Sequence, residues 1–586
     1  MKEKIASLCR SKKYCSIENA VFIGVLLLFP LLLIRYGIDY TDTGYSICNF
    51  QSFGKTEGTI QMATFLANAW GALFMQLPYG DTYLGIVAYT SLFVGALAVM
   101  SYLLLRKFLS QKLVFLGVFV ALCVRWCPSV VLYNYLSYFL YTLAIVFSLQ
   151  GLKKNRTFCL FLAGVLLGAN VFVRFPNVTH CLLILPVIFY CVIEKKRTGE
   201  IIKKIMVCIG GWISSVLLIW CLISLFYGVN AYTDMISKLF SGTEGDSSYD
   251  LLSMLTGNFV EFWAYRKWIL LLTGFILAGV IVYKFCKYKW MKILFVCGYT
   301  AGFAFMMKYF HYWAVFTIKD YGSYSAISFW LVLFIITAWI LGFKGCLTKR
   351  YSSELRFMSA VCICTVFLAP IGSNTGILAS FNNMYLVLPF VFGILKEELC
   401  ANDMELKIKK LSISKKPIAL ISLFAVAIMV IQGLMFSVFY IYGDYKLNAD
   451  MVTKIENNEV MRGACVSAGN AYLIEDVSRY VAENGLAGKK CIAYGNIPIM
   501  SFALDMPQAL STSWPDLETY TYEDMAYDLQ GVEQPVIILN KYYAFSIFDE
   551  NVQKDIPKTK LLADYISDNG YVVSYENEKF AIYKAK

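Results

Sequence analysis

The sequence predicts a mainly α, polytopic membrane protein: about thirteen transmembrane helices, followed by a small extracytoplasmic α/β domain. Three observations carry that prediction. Hydrophobic residues make up 58% of the 586-residue chain and charged residues only 16%, with mean hydropathy +0.59, whereas a soluble protein is near half apolar and a quarter charged. Basic clusters recur on every second connection between apolar runs. Past Gly443 the composition becomes that of a soluble domain.

The apolar runs fall near residues 18–38, 82–104, 111–126, 131–150, 157–173, 178–193, 205–228, 267–286, 291–308, 323–343, 356–373, 380–395 and 417–442. The first is as long as a span and is not followed by a small-residue cleavage site, so it is expected to stay as a helix. Charge sets the orientation. Clusters such as Lys2/Lys4/Arg10/Lys12/Lys13, Arg106/Lys107/Lys112, Lys195/Lys196/Arg197/Lys203/Lys204 and Lys407 to Lys416 mark alternate connections, which the enrichment of Lys and Arg in inner loops assigns to the cytoplasm. The N-terminus is therefore expected inside. The connections 39–81, 127–130, 174–177, 229–266, 309–322 and 374–379, and everything after Gly443, are expected outside, giving a multi-pass protein of the cell membrane.

Residues 1–442 thus read as the membrane module and 443–586 as the extracytoplasmic domain. From Asp444 on, 13 Lys and Arg stand against 21 Asp and Glu, so the +12 of the whole chain belongs to the cytoplasmic edge of the spans and points to no nucleic-acid partner. Within this domain KKCIAYG and PVIILN read as buried strands, KTKLLADYISDNG as a helix ending in Gly570, and YVVSYENEKFAIYKA as a strand pair. The 18 cysteines lie mostly inside apolar runs and form no CxxC or Cys/His cluster; only Cys465 and Cys491 share a segment in which a disulfide is an open option.

The chemistry concentrates in the first outer loop, 39–81. Its opening stretch, RYGIDYTDTGYSICNF, sets Asp39 and Asp42 among tyrosines just beyond a span, and TEGTIQMATFLANAWGALFMQL (56–77) is apolar enough to lie as an interfacial helix roofing a cavity. An acid at the mouth of such a cavity can take the proton of an attacking hydroxyl or amine. The plainer alternative is a solvated interfacial aspartate.

In its topology the whole chain resembles the GT-C superfamily of polyprenol-phosphate-dependent glycosyltransferases, which includes protein O-mannosyltransferases, the lipid A aminoarabinose transferase and the oligosaccharyltransferase catalytic subunit. The shared features are an inner N-terminus, a long first outer loop opened by an acid, short connections between spans three to six, and an outer C-terminal domain. Asp42-Thr-Gly-Tyr45 is similar to the family's acid with a nearby tyrosine, and Leu77-Pro78-Tyr79-Gly80-Asp81 is loosely similar to the proline-containing start of its second span. Where mannosyltransferase-type members carry a second acid, this chain has Thr43. The resemblance implies transfer of a sugar from a polyprenyl-phosphate donor to a cell-envelope acceptor, with Asp42 as base or aligning group and Asp39 as the fallback.

A departing lipid phosphate needs fixed positive charge. Arg174 in VFVRFPN is the first candidate, followed by Lys308 and His311 in MMKYFHYW, with Lys319 and Arg266 as helpers. Each has a plain reading beside it: Arg174 as a snorkelling side chain, His311 as a packed histidine. Tyr45, Asp81, Asn134, Asn177, Asn374 and Asn383, with Asn382 beside the last, are the substrate-binding candidates, although asparagines at such places equally cap helix ends. No cofactor is expected. A divalent metal, of the kind oligosaccharyltransferase-like members use, has only Asp234, Glu244, Asp246 and Asp250 as remote ligands, because CPSVVLYN contains no acid. The alternative class is a polytopic transporter or flippase of lipid-linked glycan, against which stands the near-absence of mid-span charge.

Overall fold

The computed structural model describes residues 12–55, 59–241, 262–286, 288–309, 323–371, 376–401, 405–408, 411–439, 442, 450–541 and 557–586. A helix meets every predicted apolar run. Helix α1 (Lys12–Leu28) tightens into a 3-10 turn at Phe29–Leu31, where Pro30 has no N–H to continue the α-helical ladder. The first loop follows as α2 (Asp42–Gln51), α3 (Thr59–Met62) and α4 (Phe65–Met75). The single interfacial helix expected over 56–77 is thus two pieces within its described part, broken at Ala63 and Thr64. Helix α4 buries Ala67, Asn68 and Gly71 while leaving Trp70 and Leu73 exposed, as a helix lying along an apolar boundary should.

The bundle continues through α5 (Tyr83–Leu105), α6 (Gln111–Val124), α7 (Leu132–Lys153) and α8 (Thr157–Val173). A 3-10 segment, Phe175–Leu183, leads into α9 (Ile184–Ile193), followed by α10 (Thr198–Tyr227), α11 (Ala231–Ser241), α12 (Arg266–Phe285) and α13 (Lys289–Tyr309). Then come α14 (Ser323–Leu347), α15 (Ser353–Leu368), the 3-10 segment Gly376–Asn383, α16 (Val387–Cys400) and α17 (Lys416–Phe439). Six segments among the described residues are long and apolar enough to cross a bilayer, including α5, α7, α10, α12 and α17, and the chain is a multi-pass membrane protein. Helices α8 and α10 approach backbone to backbone: a Cβ on Gly164 would meet the carbonyl oxygen of Cys208 at 2.0 Å. Small residues one turn apart, Gly164 and Gly168, permit that contact.

Within the basic connection 407–416 and just before it, β1 (Glu405–Ile408) pairs antiparallel with β2 (Leu411–Ser414). Beyond α17, strands β3 (Thr453–Lys454) and β4 (Cys465–Val466) pair, and α18 (Ala468–Glu483) follows. The predicted strands then form a four-stranded sheet of order β5-β6-β8-β7: β5 (Cys491–Tyr494), β6 (Val536–Asn540), β7 (Tyr571–Glu576) and β8 (Phe580–Ala585). Only β5 and β6 run parallel within it. Between them lie α19 (Ile499–Ala503) and α20 (Tyr522–Gly531). The predicted helix before Gly570 is α21 (Pro557–Asp568), and Gly570 takes a left-handed φ of 65° to end it. Cys465 and Cys491 are both buried and free, which removes the disulfide option.

This C-terminal segment is fastened to the first loop. The amide of Cys465 donates to Arg35 O at 2.6 Å, and that of Gly37 to Cys465 O at 2.8 Å. Tyr83 N donates to Val460 O and Ile499 N to Tyr40 O. Helix α19 lies so close to α2 that a Cβ on Gly44 would stand 2.4 Å from Ile499 N. The apolar stretch 494–520 is therefore at once core and docking surface, with Ile499, Met500 and Phe502 buried.

Candidate active site

The turn between the first span and α2 holds both predicted acids, and it treats them differently. Asp39 is buried and accepts three hydrogen bonds. Its Oδ1 takes Thr41 N at 3.0 Å and Thr41 Oγ1 at 2.8 Å, and its Oδ2 takes Thr43 N at 2.7 Å. These amides sit at the start of α2 and need an acceptor there, so Asp39 does the capping that Thr41 does not. Burial pushes its carboxyl upward, against the pull of the hydrogen bonds from Thr43 and Thr41.

Asp42 follows in the first turn of α2, and its carboxylate faces another partner: Tyr442 Oη donates to Asp42 Oδ2 at 2.6 Å. Burial, and then the charge of Asp39, pushes the Asp42 carboxyl up to about 6, while the Tyr442 hydrogen bond pulls the other way. Tyr442 stands just past the end of α17, with its ring 5.8 Å from that of Trp126.

Tyr442, Asp39 and Thr43 line a cavity of about 360 Å³. One wall is apolar, from Phe29, Pro30, Leu32 and Leu33 on the first span to Phe436 and Val438 on the last. The other is the connection between α6 and α7, which brings Arg125, Trp126, Cys127, Pro128 and Ser129. Asn382 fixes that connection through Oδ1, which accepts from Trp126 N at 3.2 Å and Cys127 N at 3.1 Å. Ser129 shares hydroxyl hydrogen bonds with Ser91 at 3.0 Å and Thr90 at 3.2 Å. The Arg125 guanidinium sits 5.9 Å from the centre of the Tyr135 ring. Here a cation, a phenol hydrogen-bonded to an acid and an apolar wall converge on one volume.

Arg125 escaped the sequence reading. The signal existed, because a lone arginine between Val124 and Trp126 at the end of a span is the same anomaly that singled out Arg174. Arg174 itself is half-buried at the end of α8, its guanidinium 5.6 Å from the centre of the Tyr133 ring, and the cavity wall takes Arg125 instead.

Several binding candidates have other work. Asn177 is buried and donates to Ser137 Oγ at 2.5 Å and Asn170 Oδ1 at 3.0 Å. Asn170 in turn meets His180 Nδ1 at 2.9 Å, so Asn177 belongs to a packed polar knot. Asp81 is exposed ahead of α5, away from the cavity wall. Asn134 Nδ2 donates to Cys127 Sγ at 3.4 Å, bracing the α6–α7 connection. Tyr45 packs its ring on Trp514 of the C-terminal segment at 5.9 Å, and Asn383 is buried next to Asn382. Arg266 stays local, donating to Trp263 O at 2.7 Å. His311, Asn374, Lys319, Glu244, Asp246 and Asp250 lie outside the described residues, as does the side chain of Lys308. Asp234 is exposed on α11, and no group of three or more potential metal ligands occurs among the described residues.

No family model and no curated protein matches the chain. Among solved structures it is similar to apo ArnT from Cupriavidus metallidurans, at 11% identity and a TM-score of 0.40, over 98% of this chain and 99% of that one. It is also similar to the Archaeoglobus fulgidus oligosaccharyltransferase in complex with Zn and sulfate, at 10% identity and a TM-score of 0.48, over 97% of this chain and 72% of that one.

Proposed function

We propose that this protein is a membrane glycosyltransferase that moves a sugar from a polyprenyl-phosphate donor to a hydroxyl- or amine-bearing acceptor of the cell envelope. The N-terminus is cytoplasmic in this reading, and the cavity and residues 443–586 face outward. One observation carries it: the 360 Å³ cavity that combines the Asp42–Tyr442 pair, the Arg125 cation and an apolar wall from the first and last spans. The apolar wall suits a prenyl chain. Arg125 suits the phosphate, whose negative charge grows as the bond to the sugar breaks and is best met by fixed positive charge held away from bulk water. Asp42, with a carboxyl near 6, is ionised at neutral pH and still basic enough to receive a proton. Arg174 serves in this reading as a second cation, and the C-terminal segment shapes access of the acceptor to the first loop.

No metal is required by this scheme. Incubating the purified protein with a panel of polyprenyl-phosphate sugars, and following free polyprenyl phosphate by mass spectrometry, tests the proposal. Acceptor-dependent release from at least one donor is expected; release from none, with a cell-envelope extract as acceptor, rejects it. Reporter fusions after Lys13 and after Lys586 should report opposite compartments.

A further inference from the structure

Asp42 reaches the cavity through another side chain. Asp39, Thr43 and Tyr442 line the volume, and the Asp42 carboxylate is joined to it by the 2.6 Å hydrogen bond from Tyr442. The Tyr442 ring lies 5.8 Å from that of Trp126, a residue of the wall that also carries Arg125. The phenol therefore stands between the base and the space where an acceptor would lie, with the donor phosphate's cation on the same wall.

Resting on the function proposed above, we infer that Tyr442 is a catalytic residue that relays the acceptor's proton to Asp42. In the transfer step the acceptor O–H bond breaks as its oxygen bonds to the anomeric carbon, and the carbon–oxygen bond to the phosphate breaks with its electron pair leaving on the polyprenyl phosphate. The acceptor proton passes to Tyr442 Oη while the phenol's own proton passes to Asp42 Oδ2. Tyr442 ends the step as it began, with Asp42 protonated. The two protons move together, because a tyrosinate at this place is a poor resting state: burial and the charges of Asp42 and Asp39 push the Tyr442 phenol well above its ordinary value.

The test is single-turnover transfer by the full-length protein, comparing the parent, Tyr442→Phe and Asp42→Asn. Loss of the relay should lower the rate constant of Tyr442→Phe by roughly a hundredfold or more, with donor affinity held within about threefold. Tyr442→Phe turning over at near the parent rate while Asp42→Asn is inactive overturns the relay and leaves Asp42 as a direct base. Both variants turning over at the parent rate overturns the relay together with the assignment of Asp42. A proton inventory on the parent protein needs no variant to fold: two protons in flight bow the plot of rate against deuterium fraction, and a straight line overturns the relay.

Discussion

Two polar turns of the protein are built on opposite plans. The turn at 170–180 is closed on itself: Asn170, Asn177, Ser137 and His180 exchange hydrogen bonds within a packed interior, and the Tyr141 ring covers His180 at 4.8 Å. The turn at 39–43 is open: Asp39 closes the backbone, and Asp42 is then left to face a phenol at a cavity wall. A buried polar group satisfied by its neighbours contributes rigidity and has no capacity left for a ligand. One whose partner lines a cavity can act on what enters. The difference separates scaffold from site.

The largest effect expected from that difference is at Asp42. Asp42→Asn should fold and bind donor while losing about a hundred- to ten-thousand-fold in turnover. Donor binding by scintillation proximity, alongside transfer by mass spectrometry, separates the two. Next comes Arg125→Ala, for which donor KM should rise roughly ten- to hundredfold, the scale of a lost charge-assisted hydrogen bond, with a fall in kcat as the leaving phosphate loses its cation. The same change at Arg174 should be the milder of the two if the cavity wall decides the matter. The closed turn should answer differently: Asn177→Ala should lower stability by about 1–2 kcal/mol, seen as a lower melting temperature in detergent, with donor KM unchanged. A catalytic loss at Asn177 with full stability would erase the contrast between the turns.

Much of the bundle is legible in the sequence, since an apolar run of spanning length has few other uses and its flanking lysines mark a side. The β1–β2 pair is hidden because each strand is only four residues long and lysines lie within and beside the pair, so the segment reads as a charged connection. Of the site, the acids are visible but their division of labour is not written in spacing alone. In hindsight Asp39, followed by Thr41 and Thr43, has the composition of a capped helix start, whereas Asp42 has no acceptor duty toward its own backbone. Tyr442 is illegible for a different reason: it lies 400 residues from Asp42, and only the folded chain joins the last span to the first loop. Arg125 is in plain view, a lone arginine at the end of a span that carries the same signal as Arg174.

The pH dependence of kcat/KM tests the account most directly. The charged form of Asp42 must receive the proton, and its carboxyl stands near 6, so the parent's kcat/KM should fall about tenfold per unit below roughly pH 6. The charge of Asp39 helps to raise that value, so Asp39→Asn removes a repulsion and should carry the limb to lower pH in whatever fraction of the protein stays folded. A profile flat from pH 5 to 8 in both proteins, or a limb that Asp39→Asn moves upward, would contradict the assignment of Asp42 as the group that receives the proton.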